Sequence, residues 1–255
     1  AETIGNYVKR FMQRGAVIVL NTDMNPEVIK SIEYIHRAAE EIGYKLIPLG
    51  ELIKNGGMRK PLQQIPGYDA AKINPDYENV KYNLIYKAAS KGKEVALTFD
   101  DWASDSTITR VLDILDQYDV KATFFLRAKG VENNPNLARA IIEERHDVAN
   151  HSYDHLDVTS LTPEELQKDL VKAHQVITEA IQQQPIMLFR PPTGVINDKS
   201  GRAIAAAGYV NIAMYDVTSL DWNKSQSAED IVNTTLKKVR SGSIILLHIL
   251  DDTNM

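Results

Sequence analysis

The 255-residue sequence contains no cysteine. This absence excludes disulfide bonds, thiolate zinc sites and cysteine nucleophiles. Long apolar runs are also missing: the longest, residues 243–247, fits a buried strand and is too short to cross a bilayer. The net charge is only −5, and lysine and arginine are scattered. We therefore expect no nucleic-acid partner and no transmembrane segment, and we identify no secretory signal peptide in this sequence.

The composition is that of a globular protein, with 44% hydrophobic and 25% charged residues. Predicted strands and helices alternate along the chain from residue 95 onward, which indicates βα units and hence a parallel sheet or barrel. Strands are predicted at residues 95–99, 122–126, 187–190, 209–215 and 243–248. Helices are predicted at residues 107–118, 135–144, 163–183, 200–207 and 228–239.

The first third of the chain has a different organisation. Residues 1–54 are predicted as a strand–helix–strand segment, with strands at 15–21 and 44–49 around a helix at 26–42. Residues 55–93 are richer in Gly, Pro, Asn and Lys and are interpreted as a linker, with a short helix or strand near 79–88. Residues 15–21 align without gaps on residues 242–248, which indicates an internal repeat unless two buried strands match by accident.

Two adjacent carboxylates, Asp100 and Asp101, directly follow the predicted strand at 95–99. Active sites of barrels lie at the C-terminal ends of their strands. Neighbouring residues on an extended chain point in different directions, so one carboxylate can bind a metal ion while the other faces a water molecule. Taken alone, such a pair is more typical of a solvated acidic turn.

Two of the six histidines, His151 and His155, lie four residues apart in a polar stretch. On a helical turn they would share one face and could bind one metal ion. With Asp101 they form a two-histidine, one-carboxylate set, which leaves coordination positions open for catalysis. The spacing alone fits a solvated loop equally well, and the same ligand set also suits iron in an oxygenase.

Further polar motifs follow later strands. The loop Arg190-Pro-Pro-Thr-Gly194 is expected to be rigid, because proline fixes the backbone and Gly194 permits an unusual turn. Such a loop can direct a backbone N–H at an oxyanion, and Arg190 can neutralise one of the two aspartates. His248 ends the last strand, where a histidine can protonate a leaving amine while an aspartate such as Asp221 keeps it charged. The combination is far more specific than any one motif.

The order of these motifs resembles that of the NodB-type polysaccharide deacetylases, carbohydrate esterase family four. The motifs are Thr98-Phe-Asp-Asp101, His151-Ser-Tyr-Asp-His155, Arg190-Pro-Pro-Thr-Gly194, Asp221-Trp222 and Leu246-Leu-His248. The resemblance covers roughly residues 94–251. It implies an α/β fold, a distorted (β/α)7 barrel of the NodB homology type, with a catalytic domain over residues 94–255. It also implies a metal-dependent enzyme that removes acetyl groups from N-acetylated sugars of a polysaccharide, with peptidoglycan preferred over chitin.

The resemblance implies a role for each motif residue. Asp100 would be the general base, held by Arg190, and His248 the general acid, supported by Asp221. The implied metal ligands are Asp101, His151 and His155; zinc is expected, with cobalt or nickel able to substitute. The implied substrate contacts are Trp222, Thr193, Pro192 and Trp102.

Three residues depart from the family pattern. Trp102 stands where most members have glycine, Thr193 where many have tyrosine, and Arg145 where a glycine is common. The expected oxyanion donor is the backbone N–H of residue 193, so the side chain there can change without harming catalysis. We expect the three departures to tune substrate choice rather than abolish activity.

Residues 1–54 resemble the tail that the family places after the strand of the acid histidine, whereas here the sequence ends at Met255, just after that strand. Two explanations stay open. In the first explanation, the segment is the remnant of a first domain in a tandem protein. Asn21 then stands where the acid histidine would be, so that first domain is predicted to be inactive. Alternatively it completes the barrel as a permuted or exchanged element, which would permit self-association.

The family and the lack of cysteine together predict an extracytoplasmic protein, secreted or attached to the cell wall. Three other functions stay open: a mononuclear iron oxygenase, an inactive carbohydrate-binding homologue, and an esterase acting on O-acetyl xylan. Asp100 and Arg190 argue against the oxygenase, and the full set of motifs argues against the inactive homologue.

Overall fold

The computed structural model describes residues 1–12, 16–23, 25–55 and 59–251. The chain forms two compact units, Ala1–Lys60 and Pro61–Met255. The helices described in the first unit are α1 (Glu2–Phe11), α2 (Glu27–Glu41) and α3 (Leu49–Lys54). Helix α2 confirms the helix predicted at 26–42, and Gly43 follows it with a φ of 76°.

The two strands predicted in the first unit are wrong for the residues that the structure describes; Gly15 lies outside them. Residues 16–20 and 44–48 contain no strand. A strand requires a hydrogen-bonding neighbour, and no described residue of this unit supplies a ladder to either segment. Ile18 and Leu20 pack on a small core instead, while Val19 is 85% exposed. The barrel-completing and tandem-remnant interpretations of residues 1–54 stay predictions, as does self-association.

The second unit is an α/β structure. Its described strands are β1 (Asn83–Ile85), β2 (Ala96–Asp101), β3 (Thr123–Leu126), β4 (Asp147–Asn150), β5 (Leu188–Phe189), β6 (Asn211–Ala213), β7 (Val217–Thr218) and β8 (Ile244–Ile249). Its described α-helices are α4 (Asp105–Gln117), α5 (Ala128–Asn133), α6 (Pro135–Glu143), α7 (Pro163–Ile181), α8 (Asp198–Ala206) and α9 (Ala228–Lys238). Short 3-10 helices span Leu62–Gln64 and Pro192–Gly194.

The described strands form one parallel sheet of eight, in the order β1-β6-β5-β4-β3-β2-β8-β7. This confirms the α/β class, with eight strands where seven were predicted. The strands read as apolar runs because helices cover the sheet. Phe124 and Leu126 of β3 are fully buried, and each such side chain contributes roughly 1.5–3 kcal/mol by leaving water.

Residues 61–93 were interpreted as part of a linker, but they belong to the second unit. Strand β1 in this segment pairs with β6, and Lys87 then forms a bridge to Ser243 at the start of β8. The segment thus runs from one side of the sheet towards the other. Strand β1 falls within the short helix or strand that the sequence predicts near residues 79–88. The sequence leaves the type of this element open because β1 has only three residues and Leu84 is 37% exposed at the sheet edge.

Helix α7 shows how the sequence sets a helix boundary. The Thr162 hydroxyl accepts from the Glu165 N–H, and the Glu165 carboxylate accepts from the Thr162 N–H, which confirms the predicted capping box. This helix has 19 residues and mixes charged with apolar side chains. Within the described residues, no helix is both long and apolar enough to cross a membrane.

Gly242 provides a test of how residues 87–94 join the start of β8. Its φ is 82°, its N–H donates to the Glu94 carbonyl at 2.7 Å, and a Cβ there would overlap the Ala88 carbonyl oxygen. We expect Gly242→Ala to lower the free energy of unfolding by about 1–3 kcal/mol, measured by urea denaturation. The control is Gly92→Ala, where the nearest atom would be a flexible Glu94 side-chain carbon at 3.3 Å. Equal stability of the two variants would contradict the prediction.

Candidate active site

Strand register brings the first carboxylate and the last histidine together. The parallel pairing of β2 with β8 sets Asp100 beside His248 and Asp101 beside Ile249. The pairing of β2 with β3 sets Asp100 beside Phe125. Because these are the C-terminal ends of the strands, polar residues from distant parts of the sequence meet at one edge of the sheet.

The three predicted metal ligands converge at this edge. One ligand atom each from Asp101, His151 and His155 lie within 4.8 Å of one another. Nε2 of His155 is 3.2 Å from Oδ1 of Asp101, and Nε2 of His151 is 3.9 Å from the same oxygen. The predicted helical turn is wrong: residues 151–155 form a non-helical turn in which Ser152 has a φ of 66° and His155 a φ of 59°.

The protonation of His151 fits a metal ligand. Its Nδ1 lies 2.8 Å from the Arg190 carbonyl oxygen, which can only accept, so Nδ1 carries the proton and Nε2 offers a lone pair. Burial lowers the pKa of His151 to about 3, although the negative charge of Asp101 acts to raise it. The imidazole is therefore neutral at ordinary pH. Two imidazoles and a carboxylate suit zinc, cobalt or nickel, so the donor set fits a divalent ion.

Arg190 is buried, with 1% of its surface exposed, and holds Asp100. Its Nη1 donates to Oδ1 of Asp100 at 2.7 Å and to Oγ1 of Thr98 at 2.8 Å. Burial raises the pKa of Asp100 above its ordinary range, and the charge and hydrogen bond of Arg190 offset part of that effect. The pair thus gives a buried carboxylate that Arg190 keeps in one orientation.

His248, which is partly buried, and Asp221, which is fully buried, form a second pair. Oδ1 of Asp221 lies 2.8 Å from Nδ1 of His248, and Oδ2 accepts from the His248 backbone N–H at 2.6 Å. Burial favours the neutral imidazole, but the hydrogen bond and charge of Asp221 outweigh it and raise the pKa of His248. A histidine held in this way can carry a proton at neutral pH.

The four predicted substrate contacts differ in how much surface they offer. Trp222 is 44% exposed and meets the His248 ring edge to face, with centroids 5.1 Å apart. Thr193 is exposed, with a φ of 62°, whereas Pro192 is buried beneath it. Trp102 is only 7% exposed, and its indole packs against Gly130, where a Cβ would overlap it. Trp222 and Thr193 therefore have surface for a ligand, and Pro192 and Trp102 have little.

A buried hydrogen-bond network that was not predicted from the sequence lies behind the candidate metal ligands. The Asn150 amide oxygen accepts from the Ser152 N–H at 2.8 Å, and its amide nitrogen donates to the Tyr209 hydroxyl at 3.0 Å. That hydroxyl donates to Nδ1 of His174, whose Nε2 donates to the Gly67 carbonyl. The network fixes the turn that carries His151. An asparagine at the end of an apolar strand, immediately before the first histidine, was the available signal.

Several known proteins are similar to this chain. The family model described as polysaccharide deacetylase matches residues 87–212. A peptidoglycan-N-acetylglucosamine deacetylase of Bacillus cereus is 33% identical over 166 residues, which are 65% of this chain and 76% of that protein. A peptidoglycan-N-acetylmuramic acid deacetylase of Bacillus subtilis is 27% identical over 202 residues, 78% of this chain and 76% of that protein.

A structural neighbour shares the fold. It is a mutant of BA3943 from Bacillus anthracis, described as a CE4 family pseudoenzyme with restored enzymatic activity. The TM-score is 0.63 at 32% identity, over 69% of this chain and 64% of that chain, so this chain spans just under two thirds of the neighbour's length. The chain belongs to the polysaccharide deacetylase family, CE4, which is a family of hydrolytic enzymes. The predicted family, fold class and enzyme class are confirmed.

The Asp100–Arg190 pair allows a test by unfolding. Removing one partner of a buried ion pair leaves the other charge without compensation, so we expect Arg190→Met to lower the free energy of unfolding by about 3–5 kcal/mol. Adding Asp100→Asn to this variant should restore part of the loss, because the stranded charge is then removed. Urea denaturation of the wild type, the two single variants and the double variant measures the coupling. Additive effects of the two substitutions would contradict the prediction.

Proposed function

We propose that this protein is a metal-dependent hydrolase that removes acetyl groups from N-acetylated sugars of peptidoglycan, outside the cytoplasm. One observation carries the proposal: a possible metal-ligand set, an Arg190-held carboxylate and an Asp221-held histidine lie together at one edge of the sheet. The names of the relatives from Bacillus cereus and Bacillus subtilis support peptidoglycan as the substrate. A chitin-like polymer is the second choice.

The residues that would hold the metal ion are Asp101, His151 and His155. Zinc is the first choice, and cobalt and nickel suit the same ligands. When bound, such an ion supplies Lewis acidity, which polarises an acetyl carbonyl and lowers the pKa of a water molecule.

Asp100 would act as the general base. Its Oδ1 is engaged by Arg190, while Oδ2 lies 3.8 Å from Nε2 of His151 and so faces the metal ligands. From this position Oδ2 can take a proton from a water molecule that attacks the acetyl carbonyl. The backbone N–H of Thr193, in a loop fixed by two prolines, would donate to the oxyanion that forms.

His248 would act as the general acid. An amide nitrogen is a poor leaving group until it is protonated, so cleavage of the C–N bond requires a proton donor beside it. The charge of Asp221 keeps His248 protonated, and Trp222 packs on the imidazole and would line the approach of the sugar. The products would be acetate and the free amine of the sugar.

An inactive homologue is the main competing function, because the structural neighbour from Bacillus anthracis is described as a pseudoenzyme. In this chain both members of each catalytic pair and all three candidate metal ligands are present and within reach of one another. This arrangement favours an active enzyme. An esterase acting on O-acetyl xylan would use the same groups, so only substrates separate it from the amide hydrolase.

Acetate release tests the proposal. We expect the zinc-loaded protein to release acetate from peptidoglycan and N-acetylglucosamine oligomers, and a chelator to abolish the reaction.

His151→Ala should lose most of the metal as measured by mass spectrometry, since one of three ligands is gone. Asp100→Asn should retain the metal but lose at least about a hundredfold in turnover, because an amide cannot accept the proton.

Acetylxylan is the substrate control for this experiment, and anaerobic assays separate hydrolysis from oxygenase chemistry. Acetate release from acetylxylan alone would replace the amide hydrolase by the esterase. Zinc bound without acetate release from any substrate would contradict the proposal and favour the inactive homologue.

The pH dependence follows from Asp221. Because His248 must be protonated to act, activity falls as pH rises through its pKa, and Asp221 holds that pKa up. Asp221→Asn removes the carboxylate, so the acid form should be lost at a lower pH. We expect the alkaline limb of the kcat/KM profile to move to lower pH. The control is Asp230→Asn, which changes an exposed carboxylate that accepts from the N-cap residue Ser227 of α9, and it should leave the limb in place. An unmoved limb in Asp221→Asn would contradict the assignment.

A further inference from the structure

A cavity of about 710 Å³ lies beside the candidate metal ligands. Its walls include Trp102, the residue after Asp101, and Asp154, the residue before His155. Arg127, which follows the end of β3, also lines it. The cavity therefore opens next to the edge of the sheet where the proposed reaction takes place, and a neighbouring unit of a polymeric substrate would reach it.

The acidic groups around this cavity already have partners. Asp154 pairs with Lys129 at 2.9 Å, and Asp251 accepts from the hydroxyls of Ser104 and Thr107 at 2.6 and 2.8 Å. Asp105 accepts from the Asn134 amide at 2.7 Å. Lys129, the other cation of the cavity, is thus neutralised by Asp154.

Arg127 differs from these groups. Within the described part of the chain it forms no ion pair, its Nε–H is buried without an acceptor, and its Nη2 contacts the Trp102 carbonyl only at 3.5 Å. Its backbone N–H donates to the Asp101 carbonyl at 3.4 Å, so the residue is joined to the metal-ligand segment. A partly buried guanidinium that the protein leaves without a carboxylate is suited to an acceptor from a ligand.

The surroundings of Arg127 are rigid. The indole of Trp102 is wedged against Gly130, which fixes the Trp102 carbonyl and the cavity wall that this residue forms. A guanidinium presents its donors in a planar fork that matches both oxygens of a carboxylate. Lys129 and Asp154 offset each other's charge, and Asp105 and Asp251 repel anions, so an anion is stabilised only where it meets Arg127.

We propose that Arg127 binds a carboxylate carried by the sugar next to the one that is deacetylated. This inference rests on the proposed function and narrows its substrate class to an acidic glycan, such as a peptidoglycan strand whose lactyl ether groups end in free carboxylates rather than in amides to a peptide. A neutral homopolymer of N-acetylglucosamine offers no such group. Arg127 is then a specificity-determining residue, and the catalytic groups act on either polymer.

Binding measurements with two matched ligands test this inference. The probes are a tetrasaccharide of alternating N-acetylglucosamine and lactyl-substituted N-acetylglucosamine, and the same tetrasaccharide with its carboxylates reduced to alcohols. We expect isothermal titration calorimetry on the zinc-loaded protein to show tighter binding of the carboxylated probe. Arg127→Gln should weaken that binding about tenfold or more, and leave the reduced probe unaffected. Arg127→Lys should lose only part of the preference, because it retains the charge but not the fork.

The control is Arg110→Gln, which removes an exposed arginine of α4 and changes the net charge by the same amount. It should leave the affinity for both probes unchanged, and circular dichroism checks that every variant is folded. Equal binding of the two probes to the wild type, or an equal loss for both in Arg127→Gln, would overturn the inference. Acetate release is assayed in parallel to distinguish the two proposals. Carboxylate-selective binding without acetate release contradicts the proposed function alone. Acetate release without selective binding contradicts the role of Arg127 alone.

Discussion

The interior position of Arg190 is the constraint on which the site depends. A guanidinium is costly to remove from water unless its donors are satisfied, and here the chain surrounds it with acceptors and an aromatic face. Its side-chain partners are Asp100, Thr98 and the carbonyls of Ala213 and Met214, with the Phe125 ring 4.0 Å below it. Its own carbonyl accepts from Nδ1 of His151. One residue thus couples strands β2, β3 and β6 to both the carboxylate and a candidate metal ligand.

Much of the second unit could be predicted because its buried parallel strands are continuous apolar runs and its helices carry strong boundary signals. Residues 95–99 predicted β2, and Thr162 with Glu165 predicted the start of α7, since capping is a local interaction. Asp100, Asp101, Arg190 and His248 follow or end predicted strands, and parallel strands end at a common edge. Strand β4, which precedes His151, was not predicted, so the position of the two histidines beside Asp101 was implied only by the family resemblance.

The structural features that were not predicted depend on contacts with residues that are distant in the sequence. Strand β7 is only two residues long and forms through pairing with β8, and β1, where the sequence predicted a helix or a strand, is a strand through pairing with β6. Residues 16–20 look like a strand but have no ladder among the described residues of their unit. The turn after His151 is held by Tyr209 and His174, which lie far along the chain. Arg145 illustrates a different case: its φ of 65° accounts for the glycine that the family favours there.

The left-handed backbone at Asp101, Ser152, His155 and Thr193 has a consequence for evolution and engineering. Glycine would adopt these conformations without strain, yet the chain keeps bulkier residues at all four positions. Two of them are candidate metal ligands, so replacing these with glycine would relax the backbone but remove the ligand side chain. The conformational strain at these positions is therefore offset by the stability of the rest of the fold. Selection for stability and selection for turnover therefore oppose each other within the same few residues. Stabilising substitutions are therefore better placed in Ala1–Lys60 and the outer helices than along this edge of the sheet.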